Sequence, residues 1–513
     1  MSLLFVSFFL LFLFGLNAYL GFSINISNHG SFILSYSLDL GSNYCLLMLF
    51  FCVSISFLFS LHYFTWAYNH LNSIISLFVC VMVYLVLSSD LFNTLIGWEY
   101  LGFISFLLIL FYSTYDTVRA SNTTLISSRF GDVGLFLIIG LSFKYFDYPL
   151  WLFVFCFFLV VSTKSACIPF TSWLLEAMRA PTPVSCLVHS STLVAAGIWF
   201  LYNYGYLFSG GSNIYLLLPC IITVILSSIS SLFFLDVKKL VALSTCNNIS
   251  WCVIYYCLGF SELCLIQLFS HGVAKCMLFC VVGDLLSSSG ANQINSGLFS
   301  SLNQNNFSSF IPCLLILFVS GLPFQGVFFS KHFLLGSNSY SFNSVLIILV
   351  YTCVLLTYFY SFRLFMLVSN IFSGQSSGFQ HSFFFLGGLF LIGCLFNFYL
   401  SFSLEESLPL FYYFSLLVIF CQIIGCIGGW ILNSNLSYPF SSVLYGQDSL
   451  VSLSSLYFSF LWNSLFYISN FRLERYFSIF LSNLNIYSLG FGGIIQLNIF
   501  FCFMLVSLCV LLI

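Results

Sequence analysis

The sequence predicts an all-α polytopic membrane protein with about 14–16 transmembrane helices, built as two inverted repeats that each contain a broken helix. A C-terminal in-plane amphipathic helix and a final transmembrane helix follow. Three observations predict it. Of the 513 residues, 61% are apolar and 5% are charged, with a mean hydropathy of +1.08, whereas soluble domains carry roughly a quarter charged residues. Apolar runs of about 20 residues, enough to cross a bilayer, recur from end to end. The few intramembrane charges cluster near prolines, where a spanning helix must break.

Composition also excludes function classes. A net charge of −2, dispersed along the chain, offers no nucleic-acid surface. The 20 cysteines are scattered through apolar runs without a Cys-x-x-Cys pair, so they read as small apolar fillers and not as disulfides, metal ligands or iron–sulfur ligands. There is no Gly-rich dinucleotide fingerprint and no P-loop. Abundant Phe (68) and Tyr (30), with Leu and Ser, suggest a T-rich coding sequence of the kind that suits an organelle genome.

Residues 3–22 lack a basic n-region and a cleavage site and read as a retained first helix. Residues 46–66 and 72–87 are the next spans, with Tyr68 to His70 in the loop between them and His62 and His70 read as interfacial or packing residues. Residues 91–112 form a span whose only charge is Glu99. A carboxylate at that depth costs roughly 2.5–3.5 kcal/mol on insertion scales, so function is the default reading. The polar stretch 116–130 reads as a loop, and SSRFGD opens a helix at Asp132. An Asp there also suits the helix dipole, so its role stays open.

Residues 151–165 bring Lys164 into the membrane just ahead of Pro169, and the helix is expected to break over 167–171. Pro181 and Pro183 follow, then a second half-helix with His189. Broken spans line ion paths because their freed backbone groups need a protein or water cavity. Residues 214–235 span and end at Asp236, Lys238 and Lys239, a pair favouring the cytoplasm-equivalent side.

Residues 241–258 span again. In 263–282, Gln267, His271 and Lys275 recur every four residues and share one helix face. At 1.5 Å per residue, that polar stripe is roughly 12 Å long, and it reads as a proton path. A Ser/Asn/Gly-rich loop over 290–308 leads to a second interrupted helix, where Lys331 follows Pro323. Spans at 345–368, 382–400 and 408–431, an amphipathic surface helix within 448–485 and a last span at 494–513 complete the reading.

The predicted organisation is 1–90 N-terminal helices, 91–235 first antiporter-like repeat, 236–369 second repeat, 370–447 additional helices, 448–492 lateral helix and linker, and 493–513 anchor. Lys164 precedes its proline and Lys331 follows its own. Inverted-topology repeats produce that reversal, and so does coincidence between two broken helices.

GWEYLGFISFLLI with Glu99, SSRFGD with Asp132, KSACIPFTSWLLEAM with Lys164, PTPVSCLVHSSTLVAAG with His189, SHGVAKCMLF with His271 and Lys275, and GLPFQGVFFSK with Lys331 resemble the antiporter-like membrane subunits of respiratory complex I. The match is to the distal, chain 5 type of NADH:ubiquinone oxidoreductase, best over residues 91–363. The resemblance implies proton translocation at the mitochondrial inner membrane with no redox centre in this chain. FMN, iron–sulfur clusters, NADH and ubiquinone would lie in partner subunits, and the chain 4 and chain 2 antiporter-like subunits would be neighbours alongside lipids.

It implies a path of Glu99, Lys164, His189, His271, Lys275 and Lys331, with Asp132 as a supporting charge and Glu99 and Lys164 as an ion pair. Two positions depart from the family pattern: Gln267, where histidine is common, and His332, where aspartate is usual. The alternative is a subunit of a multi-subunit sodium/proton antiporter. A purely structural scaffold is a third reading, which the insertion cost of these charges opposes.

Overall fold

The computed structural model describes residues 23–27, 33–37, 39–64, 68–142, 150–207, 213–234, 236–288, 299–301, 307–321, 326–341, 344–369, 372–374 and 412–435, and the positions Phe460 and Ser464. The chain divides into two compact units, Met1–Gln447 and Asp448–Ile513, and every element below belongs to the first. The spans expected at 3–22, 382–400 and 494–513, the in-plane helix, and Pro323 lie outside the described residues.

A short antiparallel ladder pairs β1 (Ser23–Ser27) with β2 (Ile33–Ser37). Helices then follow in order: α1 Leu40–Tyr63, α2 Tyr68–Leu87, α3 Leu91–Ile109, α4 Tyr115–Ser142, α5 Leu150–Ser165 and the six-residue α6 Ser172–Ala177. Next come α7 Thr182–Leu207, α8 Asn213–Ser231, α9 Val237–Cys257 and α10 Ser261–Ser288. After β3 (Phe299–Ser301) come α11 Phe307–Ser320, α12 Phe328–Ser341 and α13 Ser344–Ser369. A strand β4 (Phe372–Gly374) pairs in parallel with β3, and α14 covers Tyr412–Asn435. Among the described residues, eight helices are long and apolar enough to cross a membrane, and an 18-residue stretch of each of α7 and α10 is wholly buried. The fold is an all-α polytopic bundle, with α7 and α10 at its centre.

Three expectations need correcting. Residues 116–130 are not a loop but the first half of the 28-residue α4. Its hydroxyls satisfy themselves on their own helix: Ser121, Thr123, Thr124, Ser127 and Ser128 each donate to a carbonyl three residues earlier, at 2.8–2.9 Å. A Ser/Thr-rich run can therefore cross an apolar medium as helix, because it leaves few groups in need of outside partners. Likewise, Tyr68 to His70 form the first turn of α2 and not a loop.

The third correction concerns the first broken helix. Its second half is α6, and His189 belongs to the next, full-length helix α7. That helix carries a π-helical segment over Ser185–Thr192, a local widening that is frequent at functional sites. The break itself falls where Pro169 places it. α5 ends at Ser165, Ala166 takes a left-handed φ of 54°, and the thiol of Cys246 on α9 donates to the freed Ala166 carbonyl at 3.0 Å.

Contacts at the helix ends sort the loops onto two surfaces. On one, Arg179 pairs with Asp116 at 2.9 Å, Lys238 Nζ donates to the Ala180 carbonyl at 3.4 Å, and His62 meets Asp284 at 3.3 Å. On the other, the Tyr204 hydroxyl donates to the Ser89 carbonyl at 3.0 Å. Arg119, Arg179, Lys238 and Lys239 all belong to the first surface. Among the described residues, the second carries Asp39, Asp90 and Glu262 and no Lys or Arg.

Arg363 on α13 is 2% exposed. It donates to the Ser231 carbonyl and, at 2.9 Å, to the Phe234 carbonyl, closing the end of α8 with a cation where the helix dipole is negative. Arg363→Leu removes charged donors from two carbonyls, a loss of about 1.5–3 kcal/mol. The expected result is a lower unfolding temperature of the detergent-solubilised assembly. An unchanged temperature would show that this cap contributes nothing.

Candidate proton path

The charged residues fall into three groups. In the first, Glu99 sits midway along α3. The structure pairs it with Arg129, not Lys164: Arg129 Nη1 lies 4.0 Å from Glu99 Oε1 and 3.1 Å from Asp132 Oδ2. The expected Glu99–Lys164 ion pair is not formed; the cation beside Glu99 is instead the guanidinium of Arg129, which α4 brings against both acids. The side chains of Glu99 and Arg129 are 40% and 51% exposed, whereas that of Asp132 is 6% exposed.

Lys164, at the end of α5, is 1% exposed and its Nζ has no hydrogen-bond partner among the described residues. It lies 5.4 Å from the ring centre of Trp98, a cation–π contact. Room for its head group comes from Gly102, one turn beyond Glu99 on α3. A Cβ there would stand 3.3 Å from Ser128 Oγ and 3.7 Å from Lys164 Nζ. A small cavity lined by Ser105, Ile109, Thr124, Ser127, Ser128, Thr163, Lys164, Trp173, His189 and Leu193 opens here. It reaches along the half of α4 nearest the basic surface, and half of its lining residues bear a hydroxyl.

The second group lies on α10. Lys275 Nζ donates to Ser244 Oγ and, at 3.5 Å, to the Val241 carbonyl of α9. His189 and His271 are fully buried, and neither imidazole has a hydrogen-bond partner among the described residues. Gln267 accepts from Ser330 at 2.5 Å and faces Asn248 at 3.5 Å. The i, i+4 stripe is therefore real, and it faces α9 and α12.

The third group is at the second helix interruption. α11 stops at Ser320, Gly321 takes φ 81°, and α12 resumes at Phe328. Lys331 Nζ donates to the freed Ser320 carbonyl at 2.8 Å and to Thr357 Oγ1 at 3.1 Å. His332 does not join it but stacks on Phe328, with ring centroids 5.1 Å apart.

Several contributors carried weak signals in the sequence. Ser244 and Asn248 share an i, i+4 face on α9 like that of the α10 stripe, and Ser330 sits beside Lys331. Asp284 gave no signal beyond its charge, yet it is 3% exposed and pairs with His62. His70 does pack, its ring 6.0 Å from that of Phe111.

Comparison with known proteins now has a geometry to match. Residues 88–359 match the family model described as the transmembrane part of NADH:quinone oxidoreductase and Mrp antiporters. NADH-ubiquinone oxidoreductase chain 5 of Caenorhabditis elegans is 31% identical over 85% of this chain and 86% of its own. The chain belongs to the NADH-ubiquinone oxidoreductase chain 5 family.

The chain 5 protein of Aedes aegypti is 29% identical over 75% of this chain and 70% of its own. That of Artemia franciscana is 36% identical over 56% and 54%. Among solved structures, a chain of the Mrp complex from Dietzia sp. DQ12-45-1b superposes with TM-score 0.74 at 18% identity, over 94% of this chain and 59% of its own. A chain of respiratory complex I from Thermus thermophilus with bound NADH gives 0.68 at 16% identity, over 84% and 94%. At these identities the structures share the fold.

Arg129 neutralises Asp132, whose other carboxylate oxygen has no partner among the described residues. Arg129→Gln is expected to reduce the steady-state amount of assembled protein, because a buried carboxylate left unpaired is strongly destabilising. Adding Asp132→Asn removes that charge and is expected to restore the amount, read by quantitative immunoblot of membranes. A double variant no better than the single one contradicts this assignment.

Proposed function

We propose that this chain is a proton-translocating membrane subunit of mitochondrial respiratory complex I, placed in the inner membrane beside the chain 4 and chain 2 antiporter-like subunits. NADH oxidation and ubiquinone reduction, with FMN and iron–sulfur clusters, are assigned to other subunits, and no redox centre is assigned to this one. The observation that carries the reading is a line of three buried lysines, Lys164, Lys275 and Lys331, none with a carboxylate within 4.0 Å among the described residues.

A lysine used only for structure is best kept charged and paired. A lysine that must release a proton needs partners that tolerate both forms, and carbonyl and hydroxyl oxygens are of that kind. His189 and His271 stand between the lysines as groups whose ordinary pKa is near neutrality. Glu99 and Arg129 are half exposed at mid-membrane depth, where lipid contact is costly, which supports coverage by a neighbouring subunit. In this reading, a change in the neighbour shifts Glu99 relative to Arg129 and so alters the field at Lys164.

Protons are taken up at the cavity above Lys164. It faces the Lys/Arg-bearing surface, which the positive-inside rule places towards the matrix. They then pass by His189 and His271 to Lys275 and on to Lys331. The second reading, a subunit of a multi-subunit sodium/proton antiporter, is favoured by the fold likeness to the Mrp complex. Isolation of the native particle separates the two: flavoprotein and iron–sulfur subunits co-purify in the first case and not in the second.

Lys275→Met keeps an apolar stem of similar length and removes the proton-binding group. In sealed vesicles carrying the assembled complex, the expected result is NADH-driven proton translocation reduced by roughly tenfold or more, in keeping with the weight of a positioned proton-transfer group. Translocation per electron pair equal to that of the unsubstituted complex would falsify the path.

A further inference from the structure

The interruption after α11 frees two consecutive carbonyls, and two different side chains take them. Lys331 Nζ donates to that of Ser320 at 2.8 Å, and the hydroxyl of Tyr358 on α13 donates to that of Gly321 at 2.9 Å. Tyr358 is 3% exposed, and its ring centre lies 5.5 Å from Lys331 Nζ. One residue therefore closes the break and covers the ammonium group that the break holds.

The ring is fixed at both ends. Its hydroxyl has its two roles filled, since it donates to the Gly321 carbonyl and accepts from Gln422 Nε2 of α14 at 3.1 Å. At the root of the side chain, a Cβ on Gly425 of α14 would collide with Tyr358 Cβ, so α14 packs directly on the backbone end of the tyrosine. The end of α11 and the whole of this α14 contact thus set where the ring face points.

What a ring face offers depends on charge. Its quadrupole attracts a cation within about 6 Å, and most strongly at a desolvated site; a neutral amine lacks the charge to which it responds. Thr357 Oγ1 and the Ser320 carbonyl accept a hydrogen bond from the lysine in either form. The helices α11, α12, α13 and α14 contain no Asp or Glu, so the ring supplies here what a carboxylate would otherwise supply, at a strength that still lets the proton leave. The other interruption repeats the arrangement with a different residue on a different helix: Lys164 lies 5.4 Å from the ring centre of Trp98 on α3. Lys275, on a continuous helix, has oxygen partners and no such ring among the described residues.

We propose that Tyr358 is the positioning residue of Lys331, its ring face holding the ammonium form of the lysine at the α11 break and losing that hold when the proton leaves. The proposal rests on the proton path set out above. Tyr358 carries no proton itself, because its hydroxyl is committed to Gly321 and Gln422. It acts through the lysine alone, and it acts on charge.

The test uses the assembled complex in sealed vesicles, with protons translocated per electron pair from NADH as the readout and Lys331→Met run in parallel. A desolvated cation–π contact favours the charged form by roughly tenfold or more, so Tyr358→Leu is expected to lower translocation by about that factor. Tyr358→Phe, which keeps the ring, is expected to retain most of it. A second readout separates charge from packing: the unfolding temperature of the detergent-solubilised assembly across the double-mutant cycle of Tyr358→Leu with Lys331→Met. Methionine keeps a stem of similar length without the charge, so Tyr358→Leu is expected to lower the temperature less in the Lys331→Met background than in the unsubstituted one. A ring that only fills space would give equal losses in both.

Full translocation in Tyr358→Leu while Lys331→Met is impaired overturns the positioning role and leaves the path standing. Full translocation in both removes the path at Lys331, and this role with it. A loss in Tyr358→Phe equal to that in Tyr358→Leu assigns the effect to the hydroxyl and overturns the ring contact, and so do equal losses across the cycle. If Tyr358→Leu does not assemble, Tyr358→Met, whose unbranched side chain adapts to the space, replaces it in both measurements. Translocation equal to the unsubstituted complex in that variant overturns the proposal, and a loss that Tyr358→Phe does not share supports it.

Discussion

Holding an ammonium group inside a bilayer without a carboxylate beside it is the constraint on which this structure depends. Lys164, Lys275 and Lys331 are at most 4% exposed, and a charge at that depth costs roughly 2.5–3.5 kcal/mol before any compensation. Pairing each with an acid would offset the cost but fix the proton in place. The protein instead surrounds the lysines with neutral oxygens and an aromatic face. Lys275 meets Ser244 and the Val241 carbonyl, Lys331 meets Thr357 and the Ser320 carbonyl, and Lys164 lies beside Trp98.

Much of the local architecture follows from that arrangement. A continuous helix consumes its own carbonyls, so a carbonyl free of that duty is found where a helix stops. The end of α11 at Ser320 provides one for Lys331. At the other interruption, the Ala166 carbonyl is taken by Cys246, and Lys164 lines a cavity shared with five hydroxyl-bearing residues. Arg129 lies against both Glu99 and Asp132. Where the bundle needs fixed charge and not exchange, it uses direct pairing, as with Arg179–Asp116.

The polytopic helical fold was legible because hydropathy at the scale of 20 residues has few other solutions. The break at Pro169 was legible because proline acts locally. The α10 stripe was legible because an i, i+4 repeat is a property of one helix. What could not be read concerns partners across helices. Arg129 was assigned to a loop because Ser and Thr look polar in a list of residues, although in α4 they bond back to their own backbone, and with the loop went the true partner of Glu99. The second half-helix reads as the one with His189 because Pro169, Pro181 and Pro183 do not by themselves show that α6 lasts only six residues. Ser330 and Asn248 are ordinary residues until α9, α10 and α12 come together around Gln267.

In the proposed function these lysines exchange protons and do more than supply positive charge. Lys275→Arg addresses this most directly. Arginine keeps the charge in place yet does not deprotonate in proteins, so charge and exchange are separated in one substitution. Protons translocated per electron pair, measured in sealed vesicles on the assembled complex, are expected to fall as they do in Lys275→Met. Undiminished translocation in Lys275→Arg would contradict the account, because a fixed charge would then suffice.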